Sequence, residues 1–216
     1  VGELRDRLIA DALVDDAVLQ RAAELFAPPA APDDTASLPL LAMQQAFVVG
    51  RAVTTLGRPV GSTIYVELAS REPVDAVRLA AAWQVLVARH DALRVRIADG
   101  RQHVVAADGA PLPLTALATL RERVERGFDL AQPPYHALAL SDDGMSVHLA
   151  LDEAIADAYS ASLLIAELER AYRQPHVPPA PLALGYRDVV RHALARRDGL
   201  AHEESLVYWR AALADA

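Results

Sequence analysis

A cluster of acids between a strand pattern and a helix pattern limits the possible folds of this chain more than any other feature. We call this segment the acidic junction. Residues 145–151 form an apolar run typical of a buried strand, and residues 160–172 have the spacing of an amphipathic helix. The segment between them holds Asp152, Glu153 and Asp157. Burying a carboxylate is costly unless it has a partner, so acids at this place predict specific polar contacts. The junction is therefore the candidate functional site.

Composition restricts the class of protein and its partners. Hydrophobic residues make up 53% and charged residues 23% of the 216 positions, which predicts a folded chain with a substantial core. The net charge of -8 disfavours nucleic acid as a partner, because phosphate binding needs a basic surface. No apolar run reaches the roughly 18 residues of a membrane-spanning helix, so no membrane partner is expected.

Counts of single residue types exclude further kinds of site. The chain has no cysteine, which excludes a disulfide framework, a thiolate nucleophile and a cysteine-bound metal. The histidines show no metal-ligand spacing, so no metal is expected. A chain without cysteine is compatible with the cytoplasm, where we expect this protein. Arginine supplies all 21 basic residues, which we interpret as GC-rich bacterial coding.

Two proline-rich segments divide the chain. Residues 1–27 have apolar positions three to four apart, which predicts an N-terminal helical arm. Residues 28–37 form a Pro/Ala/Asp linker, so the folded lobe is expected over residues 38–216, with a second linker at 175–181. The arm either packs on this domain, ends an upstream domain, or docks a partner chain.

Helical and strand patterns alternate within the lobe. Strands are predicted at residues 63–68, 92–97, 102–105, 135–140 and 145–151. Helices are predicted at residues 41–54, 73–90, 116–126, 160–172, 186–196 and 202–214. Asp99-Gly100 predicts a hairpin turn, and Trp83 and Trp209 are expected in the core. The mixture predicts an α/β lobe whose sheet is covered by helices.

Six ordered segments over residues 38–210 resemble one family. They are Leu38-Pro39-Leu40 with Met43 to Arg51, Arg89 to Arg94, Phe128-Asp129-Leu130 with Pro133-Pro134, Asp152 to Ser160, Tyr186 to Val190, and Tyr208-Trp209-Arg210. These segments are similar to motifs of the heterocyclization domains of nonribosomal peptide synthetases, where the fourth reads Asp-x4-Asp-x2-Ser. In the related condensation domains the same place reads His-His-x3-Asp-Gly. Asp152 and Glu153 stand where those histidines would be.

The chain departs from the family pattern at two places. Leu41 and Ala42 replace the usual Thr and acid of the opening motif, and Glu153 stands where heterocyclization domains usually carry an apolar residue. A third carboxylate close to two others would raise their pKa values by like-charge repulsion. Because alternate side chains of a strand point to opposite faces, we expect Glu153 to face away from Asp152, toward the surface or a partner.

The resemblance implies a fold and a reaction. The family fold is a V of two lobes, each like chloramphenicol acetyltransferase with a mixed sheet, and a tunnel runs between them. Heterocyclization domains condense a carrier-bound acyl group with carrier-bound Cys, Ser or Thr, and then remove water to give a thiazoline or oxazoline. The chain is expected to hold the N-terminal lobe only, and to be inactive without the second lobe. Since phosphopantetheine on carrier proteins holds the substrates, no directly bound cofactor is expected.

The resemblance also implies partners and leaves two alternatives open. Carrier proteins, adjacent synthetase domains and the second lobe are the expected partners, and an apolar face left without that lobe predicts self-association. One alternative is a noncatalytic, truncated condensation-like domain that serves as a scaffold or docking module in a megasynthase. The other is an ordinary amide-forming condensation domain that has lost its histidines.

The acidic junction supplies the candidate catalytic residues, Asp152 and Asp157. Attack and dehydration both need proton transfers, which positioned carboxylates can serve. The resemblance implies that Asp157 pairs with Arg94 and holds the turn shut. Asp152 either caps the turn or faces the tunnel. Ser160 is expected to cap the following helix by accepting hydrogen bonds from backbone N–H groups.

Four further positions are of interest. Arg89 and His90 lie in the matched Arg-His motif, and His90 is expected to be structural. Strand alternation puts His148 on the same face as Asp152, so it is a candidate tunnel residue. By analogy with the family, Arg51 is placed near the tunnel mouth, where a phosphopantetheine arm would pass. No Gly-rich elbow supports a Ser-His-Asp triad.

Overall fold

A computed structural model describes residues 37–52, 61–107, 109, 112–197 and 199–213. The chain divides into two compact units, one of residues Thr35–Leu182 and one that contains Ala183–Ala216. The predicted arm at residues 1–27 and nearly all of the linker at 28–37 lie outside the described residues. Within the described ranges, no helix has the length and apolar character needed to cross a bilayer.

Helices and strands alternate along the described chain, as the sequence patterns predict. The helices are α1 (Ala42–Ala52), α2 (Ala76–Arg89), α3 (Leu117–Arg126), α4 (Ala158–Arg173), α5 (Tyr186–Arg197) and α6 (Leu200–Ala212). The strands are β1 (Leu38–Pro39), β2 (Thr63–Ala69), β3 (Val95–Ala98), β4 (Arg101–Val104), β5 (His136–Leu140) and β6 (Ser146–Asp152). The predicted α/β class is confirmed, but every strand pair among the described residues is antiparallel, so the mixed sheet that the family resemblance implies is not found there.

The larger unit is organised by an antiparallel sheet of order β2-β6-β5. Residues Val147 to Asp152 of the central strand β6 are all buried, because helices lie on both sides of the sheet. On one face, Leu120 of α3 and Phe128 pack against small residues of β5 and β6, such as Ala139 and Ala150. Burial on both faces explains the continuous apolar run of β6.

On the other face of this sheet lies α2, which packs against α4. The ring of Trp83 on α2 contacts His136 of β5 edge-on, with 5.2 Å between the ring centroids. Trp83 is buried, as its place on an apolar helix face predicts. The sheet and its two helical layers therefore form a closed core around β6.

A second antiparallel sheet of order β1-β4-β3 completes the larger unit. The hairpin between β3 and β4 turns at Asp99 and Gly100, which both have positive φ values, 53° and 68°. Two positive φ values suit the tight hairpin turn that the Asp-Gly pair predicts. The hydroxyl of Tyr135 accepts a hydrogen bond from the Ile97 backbone N–H at 2.9 Å and ties β3 to the start of β5.

The start of β3 corrects the sequence prediction. A strand is predicted at residues 92–97, but Asp91–Arg94 form a short 3-10 helix and β3 begins at Val95. Arg94 explains the difference, since its guanidinium donates to the carbonyls of Val87 and Ala88 at the end of α2. These carbonyls are among the last of a helix, which lack partners within it.

The smaller unit contains α5 and α6, which contact each other. Its helix α6 leaves large apolar side chains exposed, including Val207, Tyr208 and Trp209. Trp209 is 57% exposed, so its predicted core position is wrong. The helical spacing that led to that prediction shows that a face is apolar but does not show what covers it.

The buried histidine of β5 should make the stability of the protein depend on pH. Burial lowers the pKa of His136 from 6.5 to about 4. A hydrogen bond with the Leu93 backbone has the opposite, smaller effect and raises this pKa. Between these two values the unfolded chain binds a proton that the folded chain does not, so stability falls as pH falls from 6.5 towards 4. We expect the free energy of unfolding in urea to be about 2 kcal/mol lower at pH 5 than at pH 7.

Two substitutions separate this contribution from other titrations. His136→Gln keeps an N–H donor and should remove most of the difference between pH 7 and pH 5. His176→Gln changes an exposed histidine and should leave the difference intact. An unchanged pH dependence in His136→Gln would show that His136 is not its source.

Candidate functional site

The acidic junction is built around Asp152, the last residue of β6. Its side chain is fully buried. Oδ1 accepts a hydrogen bond from the Ala154 backbone N–H at 2.8 Å, and Oδ2 accepts one from Arg51 Nη2. The carbonyl of Asp152 accepts from the backbone N–H groups of Ile155 and Ala156 at 3.0 and 3.3 Å. One residue therefore organises the whole turn that leads to α4.

Arg51 reaches Asp152 from the last turn of α1. The guanidinium forms an ion pair with the carboxylate, and the Arg51 side chain is only 11% exposed. Its Nη1 also donates to the Phe47 carbonyl at 3.4 Å, while its buried Nε has no hydrogen-bond partner. A buried ion pair that loses one partner leaves an uncompensated charge, so this contact fixes α1 to the end of β6.

Two glycines leave room beside this pair. A side chain on Gly61 would place its Cβ 2.8 Å from the Gly127 Cα, and 3.7 Å from Arg51 Nη2. Gly127 has a φ of 79°, which favours glycine at that position as well. The backbones of two segments therefore meet next to the guanidinium, and larger residues would separate them.

The electrostatics of Asp152 follow from its burial. Desolvation raises the pKa of Asp152, the Ala154 N–H and Arg51 lower it, and the charge of Glu153 raises it again. The net direction is upward from the ordinary value of 3.8. Both carboxylate oxygens are held by donors of the same chain, so the contacts of Asp152 favour a positioning role. Direct chemistry by Asp152 stays a prediction.

Asp157 has a different environment at the start of α4. It is the N-cap residue, and its Oδ1 accepts from the Ser160 backbone N–H at 2.7 Å and from Ser160 Oγ at 2.6 Å. These bonds lower the pKa of Asp157 below its ordinary value. Ser160 was expected to be the cap, and this is wrong, because Asp157 accepts the bond and Ser160 donates it. Asp157 is exposed, and its catalytic role stays a prediction.

The expected pair between Asp157 and Arg94 is not formed. Arg94 donates instead to the Asp91 carboxylate, three residues earlier, and to the carbonyls at the end of α2. Its Nε donates to the Val105 carbonyl at 2.9 Å. The guanidinium thus holds the turn between α2 and β3 and has no donor directed at the acidic junction. The buried acid of the junction has a different arginine, Arg51, as its partner.

Arg89 and His90 meet one carboxylate of α4. Arg89 Nε lies 3.1 Å and His90 Nε2 lies 2.7 Å from Glu167 Oε2, and Arg89 also donates to the Ala180 carbonyl. Burial raises the pKa of Glu167, but the contacts with His90 and Arg89 together lower it by more. The pKa of Glu167 therefore lies below its ordinary value. These contacts join α2 to α4 and agree with the structural role expected for His90.

His148 shares a strand face with Asp152, as alternation predicts, but it lies inside the fold. Its ring is 1% exposed, with Nδ1 2.7 Å from the Tyr65 hydroxyl and Nε2 2.9 Å from Ser146 Oγ. Both ring nitrogens are therefore engaged. Both His148 and Arg51 make their side-chain contacts within the larger unit. Their predicted positions along a tunnel stay predictions.

A buried amide network also holds the junction. Gln44 Nε2 of α1 donates to the Ala154 carbonyl at 3.0 Å and to Gln102 Oε1 at 3.1 Å, and Gln102 Nε2 donates to the Pro39 carbonyl at 2.7 Å. In the sequence, Gln44 is recognisable only as part of the opening motif, and its role in this network was not predicted. The available signal is a pair of adjacent glutamines, Gln44 and Gln45, near the start of a helix that continues with apolar residues.

The third acid, Glu153, lies opposite Ser62. Its backbone N–H donates to the Ser62 carbonyl at 3.1 Å, and the Ser62 hydroxyl donates to Glu153 Oε2. Glu153 is half-buried, so it is less enclosed than Asp152. Among the described residues, no three histidine, aspartate or glutamate side chains are grouped closely enough to hold a metal ion.

The pair between Arg51 and Asp152 should dominate the stability of the junction. We expect Arg51→Met or Asp152→Asn to lower the free energy of unfolding by about 3 kcal/mol, because each leaves a buried polar group without its charged partner. The double substitution should cost less than the sum, with a coupling of about 1–3 kcal/mol in urea titrations.

A second cycle on Arg94→Met and Asp157→Asn is the matched control. These residues do not contact each other, so their effects should add within about 0.5 kcal/mol. Strong coupling in this cycle together with additive effects at Arg51 and Asp152 would contradict the geometry described above.

Known proteins that resemble the chain belong to one class of megasynthase. The nonribosomal peptide synthetase UngA of Aspergillus violaceofuscus is 36% identical over 67% of this chain, and the chain spans 2% of that protein. The pyochelin synthetase PchE of Pseudomonas aeruginosa is 30% identical over 78% of this chain, and the chain spans 13% of it. No family model matches the sequence.

Two solved structures illustrate the fold that this chain shares with known proteins. The EpoB cyclization-docking bidomain of Sorangium cellulosum superposes with a TM-score of 0.70 and 24% identity, over 94% of this chain and 46% of that one. The X-domain in its complex with OxyB from teicoplanin biosynthesis gives a TM-score of 0.66 and 27% identity, over 88% of this chain and 47% of that one.

These matches agree with the ordered motifs and with the α/β lobe described above. The curated relatives are a nonribosomal peptide synthetase and a pyochelin synthetase, and the fold is that of the cyclization and X-domain structures. The expected lobe, of the kind seen in chloramphenicol acetyltransferase, is therefore confirmed. The chain belongs to the condensation-domain superfamily of nonribosomal peptide synthetases.

Proposed function

We propose that this chain forms part of a heterocyclization domain. The observation that carries the proposal is the acidic junction, where Asp152 and Asp157 take the places of the first histidine and the aspartate of the condensation motif. The structure gives this junction a defined form, with one acid in a buried ion pair and the other at a helix N-terminus. The likeness to the EpoB cyclization domain supports the proposal at the level of the fold.

The proposed reaction joins two carrier-bound substrates. The amine of a Cys, Ser or Thr thioester attacks an upstream acyl thioester, and the side-chain thiol or hydroxyl then attacks the new amide carbonyl. Loss of water gives a thiazoline or oxazoline. Each step moves protons and therefore needs an acid or base within hydrogen-bond reach of the reacting atoms.

The proposed partners follow from this reaction. Carrier proteins present both substrates on phosphopantetheine arms, and adjacent synthetase domains hold those carriers close. We place the protein with its synthetase in the cytoplasm, with which a chain that lacks cysteine is compatible. The chain spans 46% of the EpoB bidomain, so the complete site is proposed to include residues outside this chain.

A second candidate function is a noncatalytic docking module. Helix α6 exposes Val207, Tyr208 and Trp209, and Leu213 lies exposed just after its end; these side chains are 57–68% accessible. Exposed apolar patches mark interaction surfaces, and large aromatic residues are enriched in protein interfaces. The similarity to an X-domain that forms a complex with OxyB supports this candidate. Self-association through the same surface is a related proposal.

The proposed reaction can be tested by mass spectrometry of the carrier-bound products. The chain is mixed with an upstream carrier that bears a benzoyl thioester and a downstream carrier that bears a cysteinyl thioester. The mixture is examined with and without a polypeptide that supplies the remainder of a heterocyclization domain. We expect a condensed product that has lost one water, only when this chain is present.

The other outcomes distinguish the alternatives. A condensed product that keeps its water would assign plain amide formation and contradict heterocyclization. No product in any combination, with a chain shown to be folded by circular dichroism, would favour the docking module. In that case α6 should bind a partner, and Trp209→Ala should weaken the binding.

A further inference from the structure

Two buried polar atoms near the acidic junction have no hydrogen-bond partner within the chain. Among the side chains that the structure describes, Arg51 Nε and Thr63 Oγ1 are enclosed and form no hydrogen bond. A buried donor or hydroxyl without a partner costs free energy, so folded proteins satisfy nearly all such groups. The positions of the two atoms show what could satisfy both of them.

Strand register and the ion pair bring both atoms beside Asp152. Thr63 of β2 lies directly opposite Asp152 of β6. Residues that are directly opposite in antiparallel strands carry their side chains on the same face, with Cβ atoms about 5 Å apart. Arg51 donates to the Asp152 carboxylate from Nη2, and its Nε belongs to the same planar guanidinium. Both atoms therefore adjoin one carboxylate, although no hydrogen bond joins them to each other.

Two backbone segments limit the size of a ligand at this place. A Cβ on Gly61, two residues before Thr63, would lie 3.8 Å from Arg51 Nε and 2.8 Å from the Gly127 Cα. The edge of the guanidinium that carries Nε thus faces the point where the two glycine backbones meet. A group much larger than one heavy atom would push these backbones apart.

Charge and hydrogen-bonding capacity decide the kind of ligand. Arg51 and Asp152 already form an ion pair, so a further cation or anion would meet one like charge in a buried place. Water is neutral, accepts from the Nε–H and donates to the Thr63 hydroxyl. Buried waters make about three hydrogen bonds, and the carboxylate of Asp152 offers a third partner because each oxygen has two lone pairs.

We propose that a buried water molecule bridges Arg51 Nε and Thr63 Oγ1 beside the Asp152 carboxylate. Water is the usual link between polar groups that are close but not in direct contact. The bridge ties β2 to the ion pair that already joins α1 to β6, so three elements meet at one hydrogen-bonded centre. The inference goes beyond the proposed function and holds for whichever reaction the domain serves.

The substitution Thr63→Val tests the bridge, because the two accounts predict opposite signs. Valine keeps the shape of threonine and removes the hydroxyl. If the hydroxyl had no partner, its removal would stabilise the protein; if it holds a bridging water, its removal leaves that water and Arg51 less satisfied. We expect the equilibrium constant for unfolding in urea to rise about fivefold. Trp83 fluorescence in a Trp209→Phe background reports the larger unit.

Two further variants serve as controls. Thr119→Val makes the same change on the exposed surface of α3 and should alter the equilibrium constant by no more than about twofold. Arg51→Lys keeps a positive charge for Asp152 but removes the Nε–H. In that background, Thr63→Val should also stay within about twofold, because the bridge has already lost its donor. An unfolding constant that falls in Thr63→Val, or rises equally with and without Arg51, would overturn the bridge.

A high-resolution crystal structure of the parent chain decides the question even if a variant fails to fold. We expect one peak of water density within hydrogen-bond distance of both Arg51 Nε and Thr63 Oγ1. A direct hydrogen bond between these two atoms, or no density between them, would overturn the proposal. Anomalous signal at the peak after a bromide soak would assign an anion and would overturn it as well.

Discussion

The ion pair between Arg51 and Asp152 is the interaction on which the junction depends. A carboxylate at the end of the central, fully buried strand would be strongly destabilising without a partner. The arginine that supplies this partner comes from α1, far away in the sequence, so the pair also fixes where that helix lies. The Gln44 network adds a second tie between α1 and the same turn. The acidic turn is thus held from two points on one helix.

Each acid of the junction has a different environment, although they lie within six residues of one another. Asp152 is enclosed and paired, Asp157 caps a helix, and Glu153 lies half-open against Ser62. The charge of Glu153 still raises the pKa of Asp152, as expected of neighbouring carboxylates. The three acids therefore differ in their burial and in their hydrogen-bond partners.

Local patterns in the sequence predicted much of the fold. The strand before the junction, the helix after it and the hairpin at Asp99-Gly100 follow from periodicity and turn chemistry. Tertiary contacts were harder to predict. The expected pair between Arg94 and Asp157 is replaced by contacts of Arg94 with its own turn, because the free carbonyls at the end of α2 lie within its reach.

The side-chain contacts of the candidate site were also hard to predict from the sequence. That Asp152 needs a partner follows from its place after a buried strand, but periodicity cannot choose Arg51 among the arginines of the chain. Glu153 lies in the turn just after β6, where strand alternation no longer applies, so its predicted orientation stays a prediction. Its contact with Ser62 depends on the register of β2 against β6, which pairs Thr63 with Asp152. Trp209 marks a further limit, since an apolar helix face does not show whether the described chain covers it.

Native-state hydrogen exchange at the Ala154 amide tests the central claim most directly, because this N–H donates to Asp152 Oδ1. In Arg51→Met, the account predicts that exchange at Ala154 accelerates at least about tenfold more than exchange at Leu149, in the middle of β6. Such a difference would mean that the ion pair holds the turn locally. Equal acceleration at both amides, or none at either, would contradict the claim that Arg51 and Asp152 organise the acidic junction.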